Sequence, residues 1–126
     1  MRFMIIVKAT ADSEAGVMPT PSLLAEMGAF HEELARAGVL LDGAGFKASS
    51  QGWRVCIGAG GDRKVVDGPF AQTPELMAGY TLIQVRSREE AVEWSRRYPN
   101  PTLHGSACEL EVRQLFEADD FAATIT

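Results

Sequence analysis

Apolar residues follow one another without a break from Phe3 to Val7 before Lys8 ends the run. A stretch this short, rich in β-branched members and without polar alternation, predicts a strand shielded on both faces. The next segment, Ala9 to Met18, is small and polar and leads into Pro19-Thr20-Pro21. Thr20 is a good helix cap and Pro21 suits the first helical position, so a helix opens here. Leu23, Met27, Phe30 and Leu34 then recur every three or four residues, with Glu26, Glu32, Glu33 and Arg36 on the other side. That period predicts an amphipathic helix to about Ala37, ended by Gly38 in a left-handed conformation.

Val39-Leu40-Leu41 begins a second strand and runs into a Gly- and Ser-rich passage, residues 42–52, which reads as a bend or loop. Trp53 to Ile57 and Arg63 to Val66 flank Gly58-Ala59-Gly60-Gly61-Asp62, a hairpin pattern. Tyr80 to Val85 reads as a further strand. Ser87 and Glu90 form an S-x-x-E capping box for a second helix that turns Ala91, Val92, Trp94 and Tyr98 to a core and stops at Pro99-Asn100-Pro101. In the last strand, Cys108 to Leu115, Leu110 and Val112 alternate with Glu109, Glu111 and Arg113, giving one apolar and one polar face. The acidic end, with Phe116 and Phe121 among Glu117, Asp119 and Asp120, reads as a frayed tail or a strap across a partner subunit.

This order predicts one α+β domain over residues 1–126, a ferredoxin-like split βαβ sandwich with an inserted β-hairpin. Two helices cover one face of such a sheet. Because the first strand is apolar on both sides, and the Tyr80–Val85 strand nearly so, the second face also needs cover from water. A second copy of the same sheet is the simplest cover, which predicts a homodimer whose facing sheets enclose a cavity.

Composition leaves that picture intact and narrows the partners. The 126 residues are 46% apolar and 23% charged, ordinary for a folded domain of this size. A formal charge of −5 without a basic stripe argues against nucleic acid and against an anionic membrane surface. The opening apolar run is too short for a signal-peptide core or a membrane span, so a cytoplasmic location is expected. Cys56 and Cys108 have no C-x-x-C spacing and no ligand-like His pair, which predicts reduced, buried thiols rather than a disulfide or a zinc site. Gly58 to Gly61 lacks the phosphate-loop pattern, and no cofactor is expected.

Asp67-Gly68-Pro69-Phe70 continues as Ala71-Gln72-Thr73-Pro74-Glu75. Together with the opening Phe3-Met4-Ile5-Ile6-Val7-Lys8-Ala9-Thr10, the helix end Ala37-Gly38-Val39-Leu40-Leu41 and the closing Glu111-Val112-Arg113-Gln114, it resembles the DGPFAETKE signature of the DGPF-type branch of YCII-related proteins. The resemblance covers nearly the whole chain. It implies a dimeric α/β barrel within a superfamily that includes muconolactone isomerase-like and related small-molecule enzymes. Some DGPF-type members are encoded beside extracytoplasmic-function sigma factors, which implies a regulatory alternative. Gln72 stands where the signature has Glu, and Pro74 where it has Lys, so no role of those charges carries over.

Asp67 has two readings. In the first it is turn chemistry: Asp accepts backbone bonds, Gly68 supplies a positive φ, Pro69 sets the exit, and Phe70 plugs the core. In the second, the rigid turn presents a half-buried carboxylate to the dimer cavity for proton transfer. His31, flanking the apolar stripe of the first helix, is either a boundary histidine bonded to a carbonyl or a base paired with Asp67. His104, in the loop before the last strand, is either solvated or a second acid/base candidate at the cavity mouth. Arg113 would anchor a substrate carboxylate. Tyr80 is a second substrate-binding candidate, although aromatic residues in such positions, Trp53 included, more often fill a core. The leading functional expectation is a cofactor-independent enzyme performing isomerisation or elimination on a small organic molecule. The alternative is a non-catalytic module binding a ligand or a regulatory protein.

Overall fold

The computed structural model describes residues 1–71 and 75–122, so the Gln72 and Pro74 departures from the signature lie outside the described residues. Six strands and three helices follow in order: β1 (Arg2–Lys8), α1 (Ala11–Glu14), α2 (Pro21–Arg36), β2 (Leu40–Gly45), β3 (Trp53–Ile57), β4 (Arg63–Asp67), β5 (Met77–Gln84), α3 (Arg88–Arg96) and β6 (Leu110–Gln114). β2, β5, β1 and β6 form an antiparallel sheet in that spatial order, and β3 with β4 forms a separate two-stranded sheet. This is a ferredoxin-like fold with an inserted hairpin. The four-stranded sheet is open within the protomer.

Local chemistry accounts for the helix boundaries. Thr20 Oγ1 accepts the Leu23 N–H at 3.1 Å, Pro21 opens α2, and Gly38 closes it at φ 75°. Ser87 Oγ accepts the Glu90 N–H at 3.1 Å, while the Glu90 carboxylate accepts from Arg86 N–H rather than completing the box on Ser87. The short α1 was not visible in the hydrophobic pattern because it carries no buried residue. Capping defines its start: Thr10 and Ser13 exchange side-chain and backbone hydrogen bonds at 3.1 and 2.8 Å.

The core lies between one sheet face and the helices α2 and α3. Phe3 and Ile5 of β1, Ile83 of β5, Phe30 and Leu34 of α2 and Ala91 of α3 are buried there, with Leu110 and Val112 packed against them. Ladder register places Met4, Ile6, Tyr80 and Leu82 on the opposite face, where all four are half-buried.

β2 runs through Asp42, Gly43, Ala44 and Gly45, where a bend or loop was expected. Small residues permit the strand instead of interrupting it. A Cβ on Gly43 would sit 3.1 Å from His31 Nε2, so glycine lets the helix-borne ring lie close over this edge strand.

Three burial expectations are corrected. Trp53 is 64% exposed rather than core, and Cys56 and Cys108 are exposed free thiols rather than buried ones. The physical reason is shared by Trp53 and Cys56: they occupy the hairpin, which forms its own sheet and buries no side chain within the protomer. Cys108 precedes β6 in a connecting loop.

Candidate functional site

Asp67 is the last residue of β4, pairs with Trp53 across the hairpin, and is exposed. No described side chain or backbone group bonds its carboxylate. The turn that carries it is held from below. Gly68 N–H donates to Gly52 C=O at 3.0 Å, Phe70 N–H donates to Ser49 Oγ at 3.0 Å, and Ser49 is bonded in turn by Glu14 of α1. The Gly68–Pro69 peptide is cis. Gly68 is not in a positive-φ conformation, contrary to expectation; glycine is required because a Cβ would collide with the Ser49 carbonyl. Phe70 is half-buried under the Arg54 guanidinium, 3.9 Å from its ring centroid.

His31 is half-buried over the sheet, and both its ring nitrogens are engaged. Nδ1 lies 2.8 Å from the Met27 carbonyl and Nε2 lies 2.8 Å from Thr81 Oγ1. A carbonyl only accepts, so Nδ1 carries a proton, and Nε2 faces the Thr81 hydroxyl. Thr81 Oγ1, fully buried, also lies 3.1 Å from Tyr98 Oη, and either hydroxyl can donate. The sequence pattern pointed to His31 but not to Thr81 or Tyr98 as its partners. Their relation depends on α2, β5 and the segment after α3 meeting in space, and on β5 turning Thr81 to the helices. Burial raises the Tyr98 pKa, opposed by the Thr81 hydrogen bond.

On the open sheet face, Tyr80 Oη donates to Asp42 Oδ2 at 2.9 Å, and Phe46 lies 5.9 Å from the Tyr80 ring. The hydrogen bond to Asp42, then burial, then the Asp42 charge raise the Tyr80 pKa. Across the sheet, Glu111 is bonded by Lys8 at 3.1 Å and by Arg113 at 3.3 Å. Hydrogen bonds from these two cations hold the Glu111 carboxyl below its ordinary range. Arg113 otherwise projects into solvent.

His104 is exposed in the loop between α3 and β6. That loop supplies Pro101, Thr102 and Cys108 to a pocket of about 290 Å³, completed by Lys8 at the end of β1, Thr10 and Ser13 at α1, and Ala78 of β5. Asp67, His31 and His104 do not line it. Within one protomer, therefore, Tyr80 and Arg113 share the open sheet face, while Asp67 and the two histidines occupy three separate places without a mutual hydrogen bond. Among the described residues no cluster of His, Cys, Asp and Glu is arranged to hold a metal ion, and no helix is long and apolar enough to cross a membrane.

An antiparallel ferredoxin-like sheet with an inserted hairpin ending in Asp67-Gly68-Pro69-Phe70 defines a class of small α+β domain. The chain belongs to the YCII-related family, whose domain model matches residues 1–117. No curated protein matches it. One solved structure similar to it is 5-chloro-2-hydroxyhydroquinone dehydrochlorinase (TftG) from Burkholderia phenoliruptrix AC1100, in complex with 2,5-dihydroxybenzoquinone; the likeness covers 95% of this chain and 98% of that one, at 13% identity and a TM-score of 0.49.

Proposed function

We propose that this protein is a homodimeric, cofactor-independent enzyme that moves a proton on a small organic acid or ring held at its open sheet face. The observation that supports the reading best is the composition of that face. Met4, Ile6 and Leu82 offer an apolar floor for a ring, and Arg113 stands at the edge with guanidinium donors to spare for a carboxylate. Tyr80 lies on the same floor with its hydroxyl oriented by Asp42. A floor of this kind needs a lid to exclude water, and a second copy of the chain provides it.

In this reading Asp67 is the proton acceptor, since its carboxylate is exposed, has no partner among the described residues and is set on a turn braced by Ser49. His104, whose ring has no partner among the described residues, is the better candidate for the complementary acid. His31 is committed to Met27 and Thr81 and acts as a positioning group.

The test is solvent exchange. In D2O, a panel of enolisable ring ketones and small carboxylic acids is followed by NMR for deuterium uptake at carbon. Exchange above background is expected with the wild type and should fall by about 10²-fold or more in Asp67→Asn. Exchange that Asp67→Asn leaves unchanged would sink the role of Asp67. A second reading, a non-catalytic binding module, is favoured by the exposed apolar side chains of the hairpin. It is discriminated by finding ligand binding without exchange for any compound of the panel.

A further inference from the structure

The hairpin is amphipathic, yet its apolar face is uncovered. Pairing of Trp53 with Asp67, Val55 with Val65 and Ile57 with Arg63 puts these six side chains on one face. The other face carries Arg54, Cys56, Lys64 and Val66. Trp53, Ile57 and Val65 are 64%, 59% and 63% exposed. An isolated two-stranded ribbon is marginal in water, and alternation of this kind marks a face that something covers. Along β4 that face reads cation, apolar residue, anion: Arg63, Val65, Asp67.

The open face of the four-stranded sheet has the complementary order. Register aligns Asp42 of β2, Leu82 of β5, Met4 of β1 and Arg113 of β6 in one row across the strands. That row reads anion, two apolar residues, cation. The lengths agree as well. Arg63 to Asp67 spans about 13 Å of extended chain, and β2 to β6 spans about 14 Å at ordinary strand spacing. The hairpin does not cover this face in its own protomer, because its apolar side is exposed there.

We propose that the hairpin of each protomer lies across the open sheet face of a second copy of the chain, with Arg63 against the partner's Asp42 and Asp67 against the partner's Arg113. The arrangement rests on the dimer reading above and makes the partner's hairpin, rather than its sheet, the cover of each face. The exchange is reciprocal about a two-fold axis and covers the apolar faces of both hairpins and both sheets. Each sheet face then becomes a two-chain site: one protomer supplies Arg113 and Tyr80, and the other supplies the Asp67 carboxylate. It also gives a partner to Asp67, which has none among the described residues of its own chain.

The experiment is cross-linking of mixed chains in a Cys56→Ser, Cys108→Ser background. Chains carrying Asp67→Cys are mixed with differently tagged chains carrying Arg113→Cys, refolded together and treated with a short bis-maleimide, while sedimentation gives the oligomeric state. The expected result is a dimer in which the two chain types cross-link to each other, with no product when either is mixed with chains lacking an introduced cysteine. Charge reversal supplies an arm that needs no cysteine. Asp67→Lys should weaken dimerisation about tenfold, and Arg113→Glu in the other chain should restore it. A dimer that cross-links only Asp67→Cys to Asp67→Cys, or not at all, and shows no rescue overturns the hairpin exchange while leaving sheet pairing in place. A monomer at all concentrations overturns both.

Discussion

Thr81 is the residue on which the interior polar chemistry turns. It is the buried polar side chain among the described residues, and its hydroxyl joins His31 on one helix to Tyr98 beyond another. Thr81→Val keeps the shape but strands two polar groups, and should cost about 1–3 kcal/mol in urea unfolding, whereas Thr81→Ser should recover most of it. The tyrosines offer a second test at this scale. The chain has two, Tyr80 and Tyr98, and both are shifted upward, the first mainly by its bond to Asp42 and the second mainly by burial. A raised folded pKa means that stability is fully present below the ordinary phenol value, roughly 10, and is lost as pH rises through the folded values. Tyrosinate absorbance of the native protein should therefore lag that of the urea-unfolded chain. Coincident titrations would contradict both the Tyr80–Asp42 bond and the burial of Tyr98.

At the scale of elements, close approach explains more than backbone conformation does. Gly68 sits where a Cβ would meet the Ser49 carbonyl, and Gly60, at the hairpin tip, where a Cβ would meet nothing within 4 Å. Gly68→Ala should displace the base of the hairpin at a cost of about 1–3 kcal/mol, while Gly60→Ala should change the unfolding midpoint little. Ser49→Ala removes the pin between α1 and the Asp67 turn, and faster amide exchange at Phe70 is the expected signature. The pattern predicted both long helices, the hairpin and the strands, because those rest on periodicity and capping. It did not show α1, which buries nothing, or β2 as a strand through glycine, because small residues there serve the helix packed above them.

At the scale of the whole molecule, charge pairs tie the sheet's edge together. Glu111 is held low by bonds from Lys8 and Arg113, and Glu117 by the bond from Arg2, which anchors the start of the acidic tail at 3.0 Å. A depressed folded pKa contributes stability above the ordinary carboxylate value, roughly 4.3, and loses it as pH falls through the folded values. The urea midpoint should therefore drop on acidification, and the doubly substituted Glu111→Gln, Glu117→Gln protein should show a flatter acid limb. The ferredoxin-like order of elements, the helix-facing core, the two-faced apolar character of β1 and the position of the Asp67 turn are all legible in the chain. Each of these depends on neighbours a few residues apart or on a repeating pattern. What needed the folded molecule is that His31 spends both nitrogens on Met27 and Thr81, that Trp53 and the cysteines face outward, and that Asp67 has no partner among the described residues. Those facts depend on which distant segments meet, and hydrophobic periodicity is blind to that.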